Sequence, residues 1–393
     1  MSAITLTKSP VSTTLAATAP LGSWVSALKV AGVGIGTRVP VPVLAGAKIS
    51  VTDGVVLVSG FDYETFATAR VYGGAGNDGA VLVMHKLLLD MLVTAGKRAT
   101  KRVSDAWPVS IGTAENGMVL VVVNGTTFTL AQLPLENYPT LPAIDAGCIK
   151  VDAGALIRAF DTAMVSVSKD DTLPILTGIR MEVSHGTLTL LSTDRYRLTL
   201  AELPVEGAGE YTGLLRAKTW KGIKRVLNAK GGLVTIGFEN EERWITFNQD
   251  ELSIGSLMID GEYPKIRSLF PDSPEIIFEL DADLLASMVA TVSVTAERNT
   301  PVRLTYNGID SLRIDAGTGE DAQAEAFMPY TAPRGNRGFA VAYNPHYLAE
   351  ALKDLKGQTI HMLHTTAPKP VCIVGADSDS VKHLVMPVRL PNK

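Results

Sequence analysis

The chain of 393 residues carries a formal net charge of −4, and 46% of its residues are hydrophobic. This size allows two or three domains with buried cores, and the acidic balance excludes a surface uniformly coated with positive charge. No apolar run reaches the ~18 residues of a membrane-spanning helix. The N-terminal stretch lacks the compact apolar segment of a signal peptide, so we predict neither an anchor nor a leader.

The cysteines and histidines indicate no cofactor chemistry. Cys148 and Cys372 lie far apart and form no Cys-x-x-Cys or Cys/His group, which favours reduced thiols in a cytoplasmic protein. The six histidines are scattered and include no His-Glu-x-x-His motif. We therefore predict no metal site and no cofactor.

The first domain is predicted over residues 1–144. Its apolar patterns indicate helices at 21–33 and 81–95 and strands at 118–123 and 126–130. Its last residues are rich in proline, which is typical of an extended linker.

A strand pair is predicted within residues 173–204. Ile179, Met181 and Val183 alternate with polar residues, as expected of a half-buried strand. His185-Gly186 supplies the turn, after which the alternation resumes. A dense polar and aromatic stretch, Thr-Asp-Arg-Tyr-Arg-Leu, follows the second strand from residue 193.

The same pattern occurs earlier in the chain. Residues 42–63 align with 174–195 without a gap at an offset of 132 (174 − 42), and Gly46/Gly178 and Asp62/Asp194 are among the identical pairs. A third, weaker copy begins at Pro301. The repeat predicts three domains, which we assign to 1–144, 145–270 and 271–393.

The second and third domains repeat the order of elements. The second is predicted to contain helices at 152–167 and 217–227 and strands at 233–238 and 244–248. The third is predicted to contain helices at 281–296 and 344–355, a hairpin over 302–314, and strands at 359–364 and 371–374.

The helix predicted at 217–227 is strongly basic. Three- and four-residue spacings place Lys218, Lys221 and Arg225 on one face, with Lys224 close by. On spacing alone, a solvated face and a surface for a polyanion are equally good interpretations.

Catalysis is not indicated by the polar stretch. Asp194 has no paired carboxylate or histidine at a meaningful spacing, so we predict a structural role at the strand end. A hydrolase built on repeated α+β domains would need a nucleophile or paired acids, and the sequence offers neither.

Several motifs together carry a family resemblance. The three repeats, Thr-Asp-Arg-Tyr-Arg-Leu at 193–198, the Asp-Gly-Glu-Tyr-Pro linker at 260–264 and the terminal Val-Met-Pro-Val-Arg-Leu at 385–390 resemble the bacterial DNA polymerase III β subunit family, the β sliding clamps. Within that family, the sequence is most similar to the actinobacterial branch. The resemblance covers essentially the whole chain.

The resemblance implies an α+β fold of three repeated DNA-clamp domains, each with two inner helices and outer β-sheets. It implies a homodimer that closes head to tail into a six-domain ring around double-stranded DNA, without catalysis. The implied partners are DNA of any sequence, the DNA polymerase catalytic subunit, the clamp loader and other proteins with clamp-binding motifs. The implied location is the cytoplasm, at the nucleoid.

The resemblance also implies a peptide-binding pocket between the second and third domains. Carried over by position, it comprises Leu176, Thr193, Arg195, Tyr196, Arg197, Leu198, Pro264, Leu269, Asn344, Tyr347, Val385, Met386, Pro387, Val388 and Arg389. Arg195 and Arg197 are expected to donate hydrogen bonds to the bound peptide.

Two further sets complete the implied sites. The expected DNA-binding residues are Lys218, Lys221, Lys224 and Arg225, with Lys29, Lys97, Arg98, Arg158, Lys169 and Lys353 as lesser contributors. The expected dimer interface joins Phe128 and Leu130 of one subunit to Val292 and Val294 of the other.

Some positions depart from the family pattern. Ser268 and Asn299 stand where some members carry larger or basic groups, and Pro391–Lys393 extends past the usual end. They leave open a divergent or phage-borne copy, acting as a regulatory or drug-resistant binding module for clamp-binding peptides.

Overall fold

The computed structural model describes residues 15–36, 39, 41–142, 147–241, 243–271, 273–295, 300–317, 322–366 and 369–389. The predicted boundary at 144/145, Asn299 and Pro391–Lys393 lie outside these residues. The chain divides into two compact units. The first holds the described residues up to Gly154 with Val205–Gly209 and Lys218–Met258; the second holds Ala155–Pro204, Glu210–Ala217 and the described residues from Ile259 onward.

A strand, a helix, a run of four or five strands and a second helix follow one another three times along the described residues. The α-helices are α1 (Leu21–Ala31), α2 (His85–Gly96), α3 (Lys101–Ser104), α4 (Ala153–Ala163), α5 (Ala217–Val226), α6 (Ala282–Val292) and α7 (Pro345–Asp354). The strands are β1 (Ala16–Pro20), β2 (Gly46–Thr52), β3 (Val55–Phe61), β4 (Thr65–Arg70), β5 (Ala75–Asn77), β6 (Gly79–Met84), β7 (Pro108–Thr113), β8 (Val119–Val123), β9 (Thr126–Leu130), β10 (Ile149–Asp152), β11 (Gly178–Ser184), β12 (Thr187–Thr193), β13 (Arg197–Pro204), β14 (Tyr211–Arg216), β15 (Leu233–Glu239), β16 (Trp244–Gln249), β17 (Leu252–Leu257), β18 (Ile276–Asp281), β19 (Val302–Asn307), β20 (Ser311–Ala316), β21 (Ala324–Pro329), β22 (Thr331–Arg334), β23 (Gly338–Tyr343), β24 (Thr359–His364), β25 (Val371–Gly375) and β26 (Val381–Val385).

The first unit contains two antiparallel sheets. One has the order β5-β1-β7-β8-β9, and the other has the order β10-β15-β16-β17-β4-β3-β2-β6. The second sheet is continuous across two repeats, because β17 of the second repeat pairs with β4 of the first.

The second unit is built in the same way. A nine-stranded sheet has the order β14-β11-β12-β13-β26-β25-β24-β18-β22, and a four-stranded sheet has the order β21-β20-β19-β23. Pairing of β13 with β26 joins the second repeat to the third. The two junctions between consecutive repeats are therefore made by equivalent strands.

The predicted hairpins are confirmed, and their turns match across the repeat. Asp53 and Gly54 have φ values of 50° and 73°, and His185 and Gly186 have the same values. Two consecutive residues with positive φ are characteristic of the two-residue turns that suit the twist of a hairpin. In β11 the predicted inward residues Ile179, Met181 and Val183 are buried.

Three predicted helices are shorter than expected. Those at 21–33, 152–167 and 281–296 become α1, α4 and α6, each followed by a short 3₁₀ turn (Gly32–Gly34, Met164–Ser166 and Ser293–Thr295). Asp281 caps α6 by accepting a hydrogen bond from the Leu284 N–H at 2.7 Å. The predicted helices 217–227 and 344–355 correspond closely to α5 and α7.

The helix predicted over 81–95 is wrong in its first part. Residues 79–84 form β6, which pairs with β2, and α2 begins only at His85. The four residues from Ala80 to Val83 are all buried. A short run that is apolar on both faces fits a buried strand as well as a helix, and the pairing with β2 decides the outcome.

Helices α6 and α7 supply one side of the core of the third repeat. Leu285 and Val289 of α6 and Leu348 and Leu352 of α7 lie in a cluster with the inward residues of the strands. Their three- and four-residue spacings give each helix a single apolar stripe. The packing fixes the polar side of α7, which carries the site residues described next.

Candidate functional site

The polar stretch after β12 and the C-terminal segment lie side by side. Arg197 is opposite Val385 in the β13–β26 pairing. Directly after β26, the N–H of Met386 donates a 2.9 Å hydrogen bond to the carbonyl of Tyr196. The pairing brings together residues that are almost two hundred positions apart (386 − 196 = 190).

Asp194 shapes the turn that presents this stretch. One of its carboxylate oxygens accepts hydrogen bonds of 3.0 Å from the N–H groups of Tyr196 and Arg197. Arg195, which directly follows Asp194, has a φ of 78°, and its N–H donates to the Thr193 hydroxyl at 3.1 Å. The predicted structural role of Asp194 is confirmed.

The first repeat builds the same turn. Asp62 accepts hydrogen bonds from the N–H groups of Glu64 at 3.1 Å and Thr65 at 2.7 Å, and Tyr63 has a φ of 72°. Burial raises the pKa of Asp62. An Asp turn at this strand end is thus a property of the repeated domain. The two copies of the turn differ in the side chains around it.

The pocket predicted around this turn has an apolar floor. Leu176 and Leu198 are buried in a cluster with Tyr263 and Ile266. Burial raises the pKa of the Tyr263 phenol, and the main chain of Thr193 beside it offsets part of that rise. The floor is therefore a packed part of the second unit.

Several residues of the predicted pocket carry exposed surface. We call the surface formed by Tyr196, Leu269, Tyr347, Met386 and Val388 the junction pocket. Tyr196 is 54% exposed, Leu269 52%, and Met386 and Val388 38% each. Pro264, Arg195 and Arg389 are also exposed and belong to the predicted set. Together they offer apolar area with two cations at its edge.

Some predicted pocket residues have little surface to offer a ligand. Thr193, Leu198 and Val385 are each 3% exposed or less. Thr193 donates its hydroxyl hydrogen to the Arg197 carbonyl at 2.9 Å, and Val385 ends a strand. These residues support the pocket from below.

Arg197 stands out among the predicted pocket residues because its charged side chain is buried. Its Nε donates to Asp194 Oδ2 at 3.0 Å while Nη1 donates to Glu350. The guanidinium carbon lies 4.5 Å from the centre of the Tyr347 ring. These contacts engage the N–H groups of Nε and Nη1 inside the protein. The expectation that Arg197 donates to a bound peptide stays a prediction, which falls to the remaining N–H groups of the guanidinium. Arg195 remains exposed.

Two tyrosines form an aromatic wall of the junction pocket. The rings of Tyr196 and Tyr347 stack with centroids 6.1 Å apart and an interplanar angle of 23°. Burial, followed by the carboxylate of Asp194, raises the pKa of Tyr347, and Arg197 lowers it. The phenol is therefore neutral near pH 7 and available to donate a hydrogen bond.

Asn344 and Pro387 hold the backbone at the pocket. The Asn344 side chain accepts hydrogen bonds from the N–H groups of His346 at 2.9 Å and Tyr347 at 3.4 Å, so it caps α7. Pro387 forms a bridge with Tyr343. Asn344 therefore acts through its side chain, and Pro387 acts through its main chain.

The predicted DNA-binding residues are all exposed. On α5, Lys218, Lys221, Lys224 and Arg225 are exposed, while Trp220 and Ile223 are buried. The helix therefore has one apolar and one basic side. The other exposed members of the set are Lys29, Lys97, Arg98, Arg158, Lys169 and Lys353.

Part of this set lies around an open cavity in the first unit. Lys29 of α1 and Lys97 at the end of α2 line a cavity of about 300 Å³, together with Lys101 of α3. Leu21 and Leu92 supply apolar wall. The basic run at 97–102 thus meets the basic end of α1.

Two of the four predicted dimer residues are buried, and two have accessible side chains. Leu130 is 3% exposed and Val292 is 1% exposed within the single chain, so neither side chain offers surface to a partner. Val294 is 84% exposed, and Phe128 is half-buried on β9. The interface stays a prediction, in which Phe128 and Val294 supply the side-chain surface.

The sequence did not reveal several polar residues next to the predicted pocket. Glu350 on α7 binds Arg197, and His383 on β26 lies between Thr199 and Asp354. Glu350 and Asp354 are four residues apart on one face of α7, a weak signal that is common on solvated helices. Their partners are distant in sequence, so no local pattern identifies them.

Metal-ligand groups and membrane-spanning helices were both sought among the described residues. No group of three or more His, Cys, Asp and Glu side chains is arranged to hold a metal ion within them. Among the same residues, no helix combines the length and apolar character needed to cross a bilayer.

Repeated clamp domains with a non-catalytic binding surface define the class of this protein. Three models of the DNA polymerase III beta subunit match it: the N-terminal domain at residues 23–142, the central domain at 150–265 and the C-terminal domain at 267–389. The chain belongs to the DNA polymerase III beta subunit family. The predicted three-domain α+β clamp fold is confirmed.

Relatives agree with this assignment. The beta sliding clamp of Micrococcus luteus is 36% identical over 297 residues, covering 75% of this chain and 92% of that protein. The beta sliding clamp of Streptomyces coelicolor is 32% identical over 375 residues, covering 90% and 93%. The crystal structure of the Bacillus subtilis DNA polymerase sliding clamp superimposes with a TM-score of 0.86 at 21% identity, covering 96% of this chain and all of that one. The chain is a DNA sliding clamp, a processivity factor without catalytic activity.

Proposed function

We propose that two copies of this chain close into a six-domain ring around double-stranded DNA and that the junction pocket tethers the polymerase to it. The carrying observation is the β13–β26 pairing, which seats Met386 beside Tyr196. We assign the domains to residues 1–144, 145–270 and 271–393, and the site of action to the cytoplasm at the nucleoid.

The junction pocket suits a short extended peptide with apolar side chains. Met386 is flexible and polarisable, so it adapts to different apolar groups. Tyr196 and Tyr347 add rigid area with hydroxyl donors. Arg195 and Arg389 place positive charge at the rim. Such a surface serves several partners, which we take to be the polymerase catalytic subunit, the clamp loader and other proteins with clamp-binding motifs.

DNA contact in the proposed ring is electrostatic and independent of sequence. Exposed lysines bind phosphates by charge, and duplex DNA carries about one charge per 1.7 Å of axis. A ring that slides has to avoid base-edge contacts, because these would hold it at one sequence. The basic side of α5, with Lys218, Lys221, Lys224 and Arg225, supports this assignment.

Head-to-tail closure uses two unlike surfaces. β9 and β21 each end a sheet and have a free edge among the described residues. Phe128 on β9 and Phe327 on β21 both carry surface, and Phe327 is 58% exposed. Pairing one edge with the other across two subunits is a heterologous contact, which forms a ring when the rotation closes. We place Val294 at the same interface.

Primer extension tests the proposal as a whole. The dimer and its loader should lengthen the products that the polymerase makes in one binding event, and a peptide with the clamp-binding motif should abolish that gain. A protein that binds the peptide but never lengthens products would instead be a regulatory copy.

A further inference from the structure

Arg197 and its neighbours form a polar network between β13 and α7. Its first branch runs from Asp194 through Arg197 to Glu350, and His346 lies 3.5 Å from the other oxygen of Glu350. Within it, the Arg197 guanidinium covers the ring of Tyr347. This branch ends at the aromatic wall of the junction pocket.

The second branch lies beside the first. The hydroxyls of Ser166 and Thr199 are 2.7 Å apart, and Thr199 Oγ1 is 3.1 Å from His383 Nδ1. His383 Nε2 is 3.1 Å from Asp354 Oδ2. The two branches reach α7 at Glu350 and Asp354, one helical turn apart. Both branches lie within the second unit.

The chain contains its own comparison for this network. β4 and β17 make the other junction between repeats, with Thr65 opposite Ser256 and Ala67 opposite Ile254. The hairpin offset of 132 makes Thr65 and Ala67 the counterparts of Arg197 and Thr199. Ala67 is paired with Ile254, and its counterpart Thr199 is paired with His383. Ile254 is therefore the counterpart of His383.

The helices can be matched in the same way. The N–H of Ile259 donates to the Leu214 carbonyl, and the N–H of Val388 donates to the Ala342 carbonyl. An offset of 128 (342 − 214) then aligns α5 with α7. Glu350 and Asp354 correspond to Gly222 and Val226. Five network residues now have a counterpart at the other junction, and four of these counterparts are apolar or glycine: Ala67, Ile254, Gly222 and Val226. The fifth, Thr65, has a hydroxyl in place of the Arg197 guanidinium.

The comparison shows that two repeats are joined with apolar residues or glycine at four of these five positions. Replacing buried ion pairs with apolar residues is often neutral or stabilising, whereas breaking one partner of a pair is costly. A buried arginine with two carboxylates is therefore a poor way to gain stability at one junction when a threonine stands at the matched position of the other. What distinguishes this junction is the pocket with Tyr196 and Tyr347.

We propose that Arg197 is a positioning residue for peptide binding, which rests on the function proposed for the junction pocket. Arg197 fixes the ring of Tyr347 from inside and fastens α7 to β13 through Glu350, so that Tyr347 stands stacked against Tyr196 before a peptide arrives. Holding a site in its bound conformation strengthens binding by removing an ordering cost. Arg197 acts without touching the peptide.

A double-mutant cycle tests this assignment. Calorimetry would measure the affinity of the wild-type protein, Arg197→Ala, Tyr347→Ala and the double variant for a peptide from the polymerase catalytic subunit. We expect Arg197→Ala to weaken binding about tenfold and to add little when Tyr347 is already alanine, because both changes remove the same support. Losses that multiply in the double variant would show independent action and overturn the proposal.

A second pair of variants separates positioning from general damage. Glu350→Ala should weaken the same peptide, and Glu350→Gln should restore part of the affinity because the amide oxygen still accepts from Arg197. Equal losses in both variants, or Arg197→Ala within twofold of wild type, would contradict the role of Arg197 alone. A wild-type protein that does not bind the peptide would instead refute the junction pocket, and the role of Arg197 with it.

Discussion

The carbonyl of Tyr196 accepts a hydrogen bond from the N–H of Met386, which fixes the C-terminal segment against the turn after β12. The same segment is anchored a second time, since Val388 donates to the Ala342 carbonyl at 2.8 Å. Between these two bonds, Met386 presents a partly exposed side chain to the junction pocket. The peptide site therefore depends on a few residues at the end of the described chain.

Met386→Ala should weaken the binding of a polymerase-derived peptide by about 1–3 kcal/mol, because the apolar anchor is removed while the main chain stays in place. Calorimetry on the dimer would measure the change. Ile309→Ala is a matched control, since Ile309 is 72% exposed and lies outside the pocket. An equal loss of affinity in both variants would contradict the assignment.

Ending the chain after Val385 should abolish peptide binding and leave a dimer. Val385 is the last residue of β26 and is 1% exposed, so stopping there keeps the strand and removes only the segment from Met386 onward. Calorimetry and light scattering on one preparation would report both properties. Wild-type affinity in the shortened protein would place the partner surface elsewhere.

Replacing Lys218 and Lys221 with alanine should reduce the salt dependence of DNA binding. Removing one side chain that neutralises a phosphate lowers the slope of log K against log salt by about 0.9. Binding of duplex DNA over a range of salt concentrations would measure it. The exposed Lys265 and Lys369, changed together, form the control for net charge. A slope equal to that of the control would remove α5 from the DNA surface.

Val294→Glu should convert dimers to monomers, because an unpaired charge would be buried when the ring closes. Light scattering over a dilution series would detect the change. Leu233→Glu introduces the same charge at a position in the second repeat that is 46% exposed, and it should remain dimeric. A dimeric Val294→Glu variant would place the interface away from this end of α6.

Protonation of His364 should lower the free energy of unfolding of the protein in mild acid. Burial lowers its pKa to about 3, and its ring packs against Phe339 with centroids 5.0 Å apart. An ordinary histidine titrates near 6.5, so the neutral form is favoured in the folded protein. Its stabilising effect is complete above about pH 6.5 and declines as the pH falls, by up to about 1.4 kcal/mol per pH unit.

Denaturant unfolding of the wild-type protein and His364→Leu between pH 7 and 5 would check this. The free energy of unfolding of the variant should fall less steeply over that range. Parallel curves would mean that His364 is protonated at no cost.

The regular elements could be predicted where the sequence pattern matches the fold. The hairpin β11–β12 follows from alternation and a His-Gly turn, and α7 matches the helix predicted at 344–355, with Pro345 in its first turn. β13 was not predicted because Leu198, Leu200 and Ala201 are buried together and show no alternation.

The family resemblance predicts the pocket residues as a set, but it does not give the contacts that each side chain makes within the protein. Arg197 and Glu350 are 153 positions apart in sequence, and only the pairing of β13 with β26 brings their elements together. A charged residue in a binding motif is interpreted as a ligand contact until its partner is known. Burial of Leu130 and Val292 escaped prediction for the same reason, because it depends on tertiary packing.

Retention on circular and linear DNA tests the central claim most directly. A ring held by topology should stay on a nicked circular duplex after loading, even in salt that cancels electrostatic binding. Cutting the circle once should release it, because it slides off the ends. Gel filtration before and after the cut would show the protein moving from the DNA fraction to the free fraction. Equal retention on the circle and on the cut DNA, or dissociation from both in high salt, would contradict a sliding ring.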